Sequence, residues 1–353
     1  MSVRCKVLVV DDSAFARKVV REILSTSAEI EVVGTARDGV EALDKIVELQ
    51  PDVITLDLMM PDLDGPGVMR ALAAMGSRVR VVVVSMSGDD SALAIEALSL
   101  GALELVRKPS ALATDRLYEM SAELIRKVLA VHGATTTRSA WGGARNTPPV
   151  GTPVAPRPRG WASSRVEVIA VGTSTGGPQA LARILSGLPA DLPAPVVIAL
   201  HIPRDYTLAL ARRLSDLSAL DVVEASEGLQ LVPGMAALAR GGSHLTVTRD
   251  GGQLIARLSP PGGAIYTPSV DILFESAARV AGPGVLGVVM TGMGDDGLIG
   301  SRAITAAGGR VVVEAEESAV VYGMPRCVAE AGLAVEQVSL DEIANAIVRQ
   351  VAR

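Results

Sequence analysis

The chain has 353 residues, which is more than one ordinary core holds and predicts two domains. Hydrophobic residues make up 49% of it and aromatic residues only 2%, a composition typical of parallel sheets that are buried on both faces. The net charge of −6 argues against a nucleic-acid-binding protein, because such proteins carry a basic surface.

The sequence also indicates the cellular compartment of the protein. The two cysteines, Cys5 and Cys327, are too few for a disulfide framework. The first residues, MSVRCKVLVVDDSAFARK, reach two aspartates too early for a signal peptide. No apolar run approaches the roughly 18 residues that a transmembrane helix needs. We therefore expect a reduced, cytoplasmic protein that is not embedded in a membrane.

Residues 1–131 alternate apolar segments with segments of helical length. The five apolar segments are CKVLVV, EVVGTA, DVITLD, VRVVVVS and ALELV. This alternation predicts an α/β domain built on a doubly wound parallel sheet.

Polar side chains follow four of these predicted strands: Asp11 and Asp12, Asp57, Ser85, and Lys108. The carboxyl ends of parallel strands face one crevice, which is the usual place for a ligand. Three carboxylates there repel one another unless a cation lies among them, and Mg²⁺ prefers oxygen ligands. A lysine and a hydroxyl could then bind the oxygens of a phosphoryl group. The alternative is that each acid only caps the helix that follows it.

The motifs VVDDS, DLMMPDLDG, VVVVSMSGD and GALELVRKP resemble those of the receiver domains of bacterial response regulators. The resemblance covers about 120 residues and implies a flavodoxin-like fold. It implies that Asp57 is the phospho-acceptor, that Asp11, Asp12 and Asp57 hold Mg²⁺, and that Ser85 and Lys108 contact the phosphoryl group. It also implies a histidine kinase as the phosphodonor.

One position departs from the receiver pattern. Receivers often have Tyr or Phe three residues before the lysine, where the ring acts as a rotamer switch, and here Leu105 stands there. The resemblance therefore predicts phosphorylation but leaves open the route by which it is read out.

Residues 132–165 are rich in Pro, Gly and Thr, contain five arginines and no acid, and are predicted to form a flexible linker. Residues 166–353 resume the alternation with VEVIAV, APVVIAL, LDVVEA, GVLGVVM and GRVVVE, which predicts a second, Rossmann-like sheet domain. Within it, SHLTVTRDGGQLIARL has two alternating runs around Asp-Gly-Gly and predicts a β-hairpin insertion.

The stretch VEVIAVGTSTGGPQALARIL places Ser174 in a glycine-rich turn between a strand and a helix. Such a turn binds a phosphate at the helix N-terminus or holds a nucleophile on a tight G-x-S-x-G turn. A dinucleotide loop needs G-x-G-x-x-G and an acid about 20 residues on. Here the glycine order differs and the next strand ends in His201, which favours the nucleophile. A receiver fused to a nucleotide-binding α/β output domain remains the alternative.

A hydroxyl nucleophile needs a base within hydrogen-bond reach and a third group that orients the base. His201 ends a strand that we expect to neighbour the strand before the serine, whereas His132 lies at the linker and His244 in the hairpin. The segment VLGVVMTGMGDDGLIG supplies Asp295 and Asp296 in a glycine-rich turn, where backbone N–H groups can approach an oxyanion. Taken singly, these residues also fit ordinary strand-end or helix-capping roles.

Six segments resemble the catalytic domain of the chemotaxis protein-glutamate methylesterases: VGTSTGGPQAL, ALHIPRDYT, GLQLVPG, TPSVDILFESAA, VVMTGMGDDG and VVYGMPR. The resemblance covers residues 166 to about 350. It implies that Ser174 is the nucleophile, His201 the base and Asp296 the orienting acid, with the backbone N–H of Met293 donating to the oxyanion.

The two resemblances together imply a phosphorylation-activated serine hydrolase. Its substrates would be glutamate methyl esters on methyl-accepting chemoreceptors, from which it releases methanol, and it would also deamidate receptor glutamines. Ester hydrolysis would need no cofactor, and Mg²⁺ would serve only the receiver. We further expect the unphosphorylated receiver to cover the approach to Ser174, with the region around Ser85 and Leu105 transmitting the signal.

Overall fold

A computed structural model describes residues 4–86, 90–108, 114–134 and 165–352. The chain divides into two compact units, Met1–Ser139 and Ala140–Arg353. The division falls inside the predicted linker, most of which lies outside the described residues. Among the described residues, no helix is both long and apolar enough to cross a membrane.

The first unit is a five-stranded parallel sheet with helices between its strands. The strands are β1 (Cys5–Val10), β2 (Ile30–Ala36), β3 (Val53–Leu56), β4 (Arg80–Ser85) and β5 (Glu104–Arg107). The helices are α1 (Ala14–Ser25), α2 (Gly39–Leu49), α3 (Gly65–Ala74), α4 (Ser91–Ser99) and α5 (Thr114–His132). The strand order β2-β1-β3-β4-β5 is flavodoxin-like, and the five predicted strands are confirmed.

Three helices of this unit begin at side-chain caps in the segments that follow strands. Ser13, Asp38 and Asp64 accept hydrogen bonds from the first turns of α1, α2 and α3. The Val-rich strands are almost fully buried, which is why they read as continuous apolar runs. The polar residues that were predicted to form a site lie at or just beyond the ends of these strands.

The second unit contains a seven-stranded parallel sheet and a smaller antiparallel sheet. Its strands are β6 (Val168–Thr173), β7 (Val196–Leu200), β8 (Asp221–Glu224), β9 (Gln230–Leu231), β10 (Met235–Leu238), β11 (His244–Asp250), β12 (Gln253–Ser259), β13 (Val285–Val289), β14 (Arg310–Glu314) and β15 (Glu336–Val338). Its α-helices are α6 (Gly177–Ser186), α7 (Thr207–Leu217), α8 (Val270–Ala281), α9 (Leu298–Ala306), α10 (Met324–Glu330) and α11 (Leu340–Val351).

The parallel sheet has the order β15-β14-β13-β6-β7-β10-β8. The chain leaves β6 toward β7 on one side and returns to β13 on the other, so β6 lies at the point where the winding direction reverses. Open α/β sheets bind their ligands at the carboxyl ends of the strands beside such a point. The ends of β6, β7 and β13 are therefore where a site is expected.

The predicted hairpin is confirmed as β11 and β12, which pair antiparallel from His244 opposite Ser259 to Asp250 opposite Gln253. Strand β9 adds a third member to this sheet. The sequence pattern did not indicate β10, which joins β7 and β8 in the parallel sheet. Its residues, MAAL, include two alanines, which have a weak preference for strands.

Candidate active site

Ser174 and His201 lie side by side at the carboxyl edge of the parallel sheet. In the pairing of β6 with β7, Thr173 lies opposite Leu200, so the next residues on both strands are neighbours. The backbone N–H of His201 donates to the carbonyl of Thr173 at 3.2 Å. The sheet register thus places a partly buried serine beside a histidine.

The turn around Ser174 is so closely packed that glycines are required in it. Gly176 has φ +77° and begins α6, and a Cβ there would lie 2.7 Å from a side-chain carbon of Val320. A Cβ on Gly292, in the loop after β13, would lie 2.9 Å from Cβ of Ser174. The loop after β13 therefore runs directly against the serine.

His201 is held by Asp296 and by an aromatic ring. Its Nε2 lies 2.8 Å from Oδ2 of Asp296, and its ring stacks on Tyr266 with centroids 4.6 Å apart and planes at 2°. An ionised carboxylate only accepts hydrogen bonds, so Nε2 carries the proton and Nδ1 has a free lone pair. Nδ1 is buried and has no hydrogen-bond partner among the described residues.

Asp296 is fixed at the N-terminus of α8. Its carboxylate accepts hydrogen bonds from the N–H groups of Val270 (2.7 Å) and Asp271 (2.9 Å) and from the hydroxyl of Ser269 (3.0 Å). Burial alone would raise the pKa of Asp296, but the bonds to His201 and to these backbone groups hold that pKa below its usual value. The carboxylate therefore stays ionised beside the imidazole.

The loop after β13 also contains Met293 and Asp295, which differ from Asp296 in their hydrogen bonding. The backbone N–H of Met293 has no acceptor among the described residues and is available to a ligand. Asp295 is exposed and forms no side-chain hydrogen bond or ion pair within the described residues, whereas Asp296 is 4% exposed. The structure thus separates the two adjacent aspartates that sequence reasoning left as candidates.

Two residues that sequence reasoning did not single out support this arrangement. Ser269 caps α8 and binds Asp296, and Tyr266 covers the imidazole of His201. A serine followed by an acid before an apolar run is a helix-start signal, so the cap was detectable. The stacking was not, because it depends on a loop that returns to the site from outside the sheet.

His244, in the hairpin, is buried and bonded to the backbone. It is 3% exposed, its Nδ1 accepts from the backbone N–H of Ser269, and its Nε2 lies 3.0 Å from the carbonyl oxygen of Pro261. Both ring nitrogens are occupied by the backbone. His244 therefore positions the residue before α8 and has no free nitrogen for a substrate.

The first unit gathers its predicted residues at one sheet edge. Carboxylate oxygens of Asp11, Asp12 and Asp57 lie within 4.8 Å of one another. The ammonium of Lys108 lies 2.7 Å from Asp11 and 2.7 Å from Asp57. Hard oxygen donors at this spacing fit a divalent cation such as Mg²⁺, and Asp12 is exposed and open to solvent.

The carboxyl group of Asp57 is buried beside other charges. Burial raises its pKa to about 6; Lys108 opposes that rise, and Asp11 adds to it. The hydroxyl of Ser85 does not contact this carboxylate but donates to Oδ2 of Asp90 at 3.1 Å. Leu105 is 2% exposed and packs in the core, so no aromatic side chain occupies the usual switch position.

The comparisons with known proteins match both units of the chain. The CheB methylesterase family matches residues 169–347, and the response regulator receiver domain matches residues 7–120. The nucleotide-binding alternative for the second unit receives no support from these matches. One relative, a protein-glutamate methylesterase/protein-glutamine glutaminase of Myxococcus xanthus, is 56% identical over 95% of both chains.

A second relative of that name, from Geobacillus kaustophilus, is 43% identical over 98% of both chains. Among solved structures, the CheB methylesterase catalytic domain of Thermotoga maritima is 34% identical, with a TM-score of 0.51. It covers 53% of this chain and 99% of its own length. The paired strand ends and both domain matches lead to one conclusion: the chain belongs to the CheB methylesterase family and carries a response regulator receiver domain ahead of its catalytic domain.

Proposed function

We propose that this protein hydrolyses glutamate methyl esters on methyl-accepting chemoreceptors and deamidates receptor glutamines, with Ser174 as the nucleophile. The observation that carries the proposal is the His201–Asp296 pair beside Ser174, in which Nδ1 has a free lone pair. The names of the relatives supply the substrate class.

The first half-reaction forms an acyl-enzyme. Nδ1 of His201 takes the hydroxyl proton of Ser174 as the oxygen attacks the ester carbonyl, and Asp296 stabilises the imidazolium that results. The backbone N–H of Met293 donates to the oxyanion. When the tetrahedral intermediate collapses, the same proton passes to the leaving methoxide and methanol departs.

The second half-reaction restores the enzyme. Water gives a proton to His201 and attacks the acyl carbonyl, and the bond to Ser174 breaks as the serine oxygen regains a proton. The product is a receptor glutamate. With glutamine as the substrate, the steps are the same and the leaving group takes its proton to depart as ammonia.

The receiver supplies the control. We propose that a histidine kinase donates a phosphoryl group to Asp57 and that Mg²⁺, held by Asp11, Asp12 and Asp57, is needed for that transfer. The positive charge of the ion would offset the repulsion between the incoming phosphate and the three carboxylates. Lys108 and Ser85 would then bind the phosphoryl oxygens, which requires the hydroxyl of Ser85 to turn from its present acceptors, Asp90 and the carbonyl of Met86.

Methanol release from methylated receptor membranes tests the proposal. We expect the wild-type chain to release methanol, a small acyl phosphate to accelerate it when Mg²⁺ is present, and Ser174→Ala to abolish it. Asp57→Asn should remove the response to the phosphodonor, while Asp62→Asn should retain it. Asp62 is an exposed acid with φ +64°, which asparagine tolerates, and is the matched control.

Methanol release that persists in Ser174→Ala would exclude the proposed nucleophile. An unchanged phosphodonor response in Asp57→Asn would exclude the proposed acceptor.

A further inference from the structure

The residues behind Ser174 form a hydrogen-bonded network centred on Thr291, just beyond β13. The carbonyl of Thr291 accepts from the backbone N–H of Ser174 (3.0 Å) and from the hydroxyl of Thr173 (2.8 Å). Its hydroxyl donates to the carbonyl of Thr175 (2.8 Å) and accepts from the N–H of Val321 (3.0 Å). One buried threonine thus binds the serine and both of its chain neighbours.

The network ends on a buried carboxylate, Glu314, the last residue of β14. Its Oε2 accepts from the N–H of Thr291 at 2.7 Å, and its Oε1 accepts from the hydroxyl of Ser318 at 3.0 Å. Burial raises the pKa of Glu314 to about 7, because these two hydrogen bonds offset only part of the lost hydration.

Among the residues that the structure describes, no cation is paired with Glu314. The elements packed against β14 are β13, β15, α9, α10 and α11. Their charged residues, with those of β14 and the turn after it, are Arg302, Arg310, Glu316, Glu317, Arg326, Glu330, Glu336, Asp341, Glu342 and Arg349. Within the described part of the chain, none of these forms an ion pair or hydrogen bond with Glu314.

The protonated form of Glu314 satisfies every polar group around it. Its carbonyl oxygen accepts from Thr291, and its hydroxyl can donate to Ser318, which still donates to the carbonyl of Ala315 at 3.3 Å.

The ionised form adds an unpaired negative charge behind Ser174. Attack on an ester places a negative charge on the carbonyl oxygen, beside Met293 in the loop after β13, and a positive charge on His201, which follows β7. In the strand order β14-β13-β6-β7 the loop after β13 lies nearer to Glu314. An ionised Glu314 therefore opposes the negative charge more than it favours the positive one.

We infer that Glu314 is a positioning residue for Ser174, acting through Thr291, and that loss of its proton slows hydrolysis. The inference rests on the proposed function, in which Ser174 is the nucleophile. The inference adds to the proposed mechanism a titrating residue, Glu314, that acts without contacting the substrate.

The effect of the negative charge on Glu314 is tested by the substitution Glu314→Gln in the full chain. A carboxamide has the shape and hydrogen-bonding pattern of the protonated carboxyl group, so Thr291 and Ser318 keep their partners. We measure methanol release and the rate at which a serine-directed sulfonyl fluoride labels Ser174, between pH values of about 5.5 and 8.5. Any pH dependence that the two proteins share cancels in the ratio of variant to wild type.

We expect that ratio to be near one at the acidic end and to rise several-fold through neutrality, because only the wild type then has a buried negative charge on the oxyanion side of the site. Glu336→Gln, on the neighbouring strand β15, should give a ratio near one at every pH. A ratio for Glu314→Gln that does not change with pH overturns the role of the charge.

Positioning is tested by Glu314→Ala, which removes the acceptor of the Thr291 N–H. We expect faster deuterium exchange at the amides of Thr291 and Ser174, slower labelling of Ser174, and a lower kcat with an unchanged KM. Unchanged exchange and labelling overturn the positioning role.

Labelling and exchange need no receptor, so they separate this inference from the proposed substrate. If the wild type releases no methanol but labelling still follows the proton state of Glu314, the substrate assignment fails and the inference stands.

Discussion

At the scale of single residues, the proposed base differs from the other buried histidine in one respect. His201 uses Nε2 for Asp296 and leaves Nδ1 free, whereas both nitrogens of His244 are occupied by backbone groups. A general base needs a free lone pair directed at the proton that it removes. The two histidines can therefore be distinguished by substitution.

We expect His201→Ala to lower kcat for ester hydrolysis by at least about 10³-fold, because members of a catalytic triad act as a unit. His244→Ala should cause a much smaller loss, since it affects only the support of Ser269. Circular dichroism of both variants should show an intact fold. A complete loss of activity in His244→Ala, together with an active His201→Ala, would show that the base has been misassigned.

The sequence predicted the proposed catalytic residues better than the residues that hold them in place. Ser174 and His201 were recognisable because each directly follows an apolar strand, and strand register then makes them neighbours. Glu314 is itself the last residue of a strand, but its link to the serine runs through Thr291 and cannot be predicted from spacing. The choice between Asp295 and Asp296 rested on a resemblance, and burial now supports it physically.

At the scale of secondary-structure elements, the N-terminus of α8 holds the acid of the site. Two backbone N–H groups of its first turn bind Asp296, and the partial positive charge of a helix N-terminus favours the ionised carboxylate. Ser269 contributes twice, since its hydroxyl accepts from Ile272 and donates to Asp296. The capping of α8 and the orientation of Asp296 therefore both depend on one side chain.

We expect Ser269→Ala to lower the free energy of unfolding of the catalytic domain by about 1 kcal/mol, the typical cost of losing an N-cap. It should also lower kcat several-fold, because Asp296 loses one of its four hydrogen bonds. Ser339→Ala is the matched control, because Ser339 is the N-cap of α11 but its side chain makes no capping bond. Equal effects of the two substitutions on kcat would refute the special role of Ser269.

Strands with long Val-rich runs could be predicted from the sequence, whereas short strands could not. The Val-rich strands were evident because parallel strands buried on both faces are continuous apolar runs. Strands β9, β10 and β15 are short, with two, four and three residues, and lack such runs. Their positions are fixed by packing onto neighbouring strands, which a local pattern does not contain.

At the scale of the whole molecule, each proposed site is complete within one unit. The acids and the lysine of the phosphorylation site lie between Asp11 and Lys108, and the hydrolytic residues lie between Ser174 and Asp296. Phosphorylation can therefore alter hydrolysis only if the free energy of interaction between the units differs between the two states of Asp57. That difference also sets an upper limit on the activation.

The sign of this coupling is open to a direct test by removal of the receiver. A receiver that restrains the hydrolytic unit in its unphosphorylated state predicts that the fragment 160–353 hydrolyses receptor methyl esters faster than the unphosphorylated full chain. The solved catalytic domain from Thermotoga maritima, which spans 53% of this chain, indicates that such a fragment folds by itself. The fragment should also be insensitive to phosphodonor, because it lacks Asp57.

The comparison is made by methanol release at equal concentrations of fragment, full chain and phosphorylated full chain. We expect the fragment to equal or exceed the phosphorylated chain, since phosphorylation weakens the restraint by a finite free energy and truncation removes it entirely. A fragment no more active than the unphosphorylated chain would rule out restraint. The receiver would then act positively, either by stabilising an active form of the hydrolytic unit or by bringing the enzyme to its receptor.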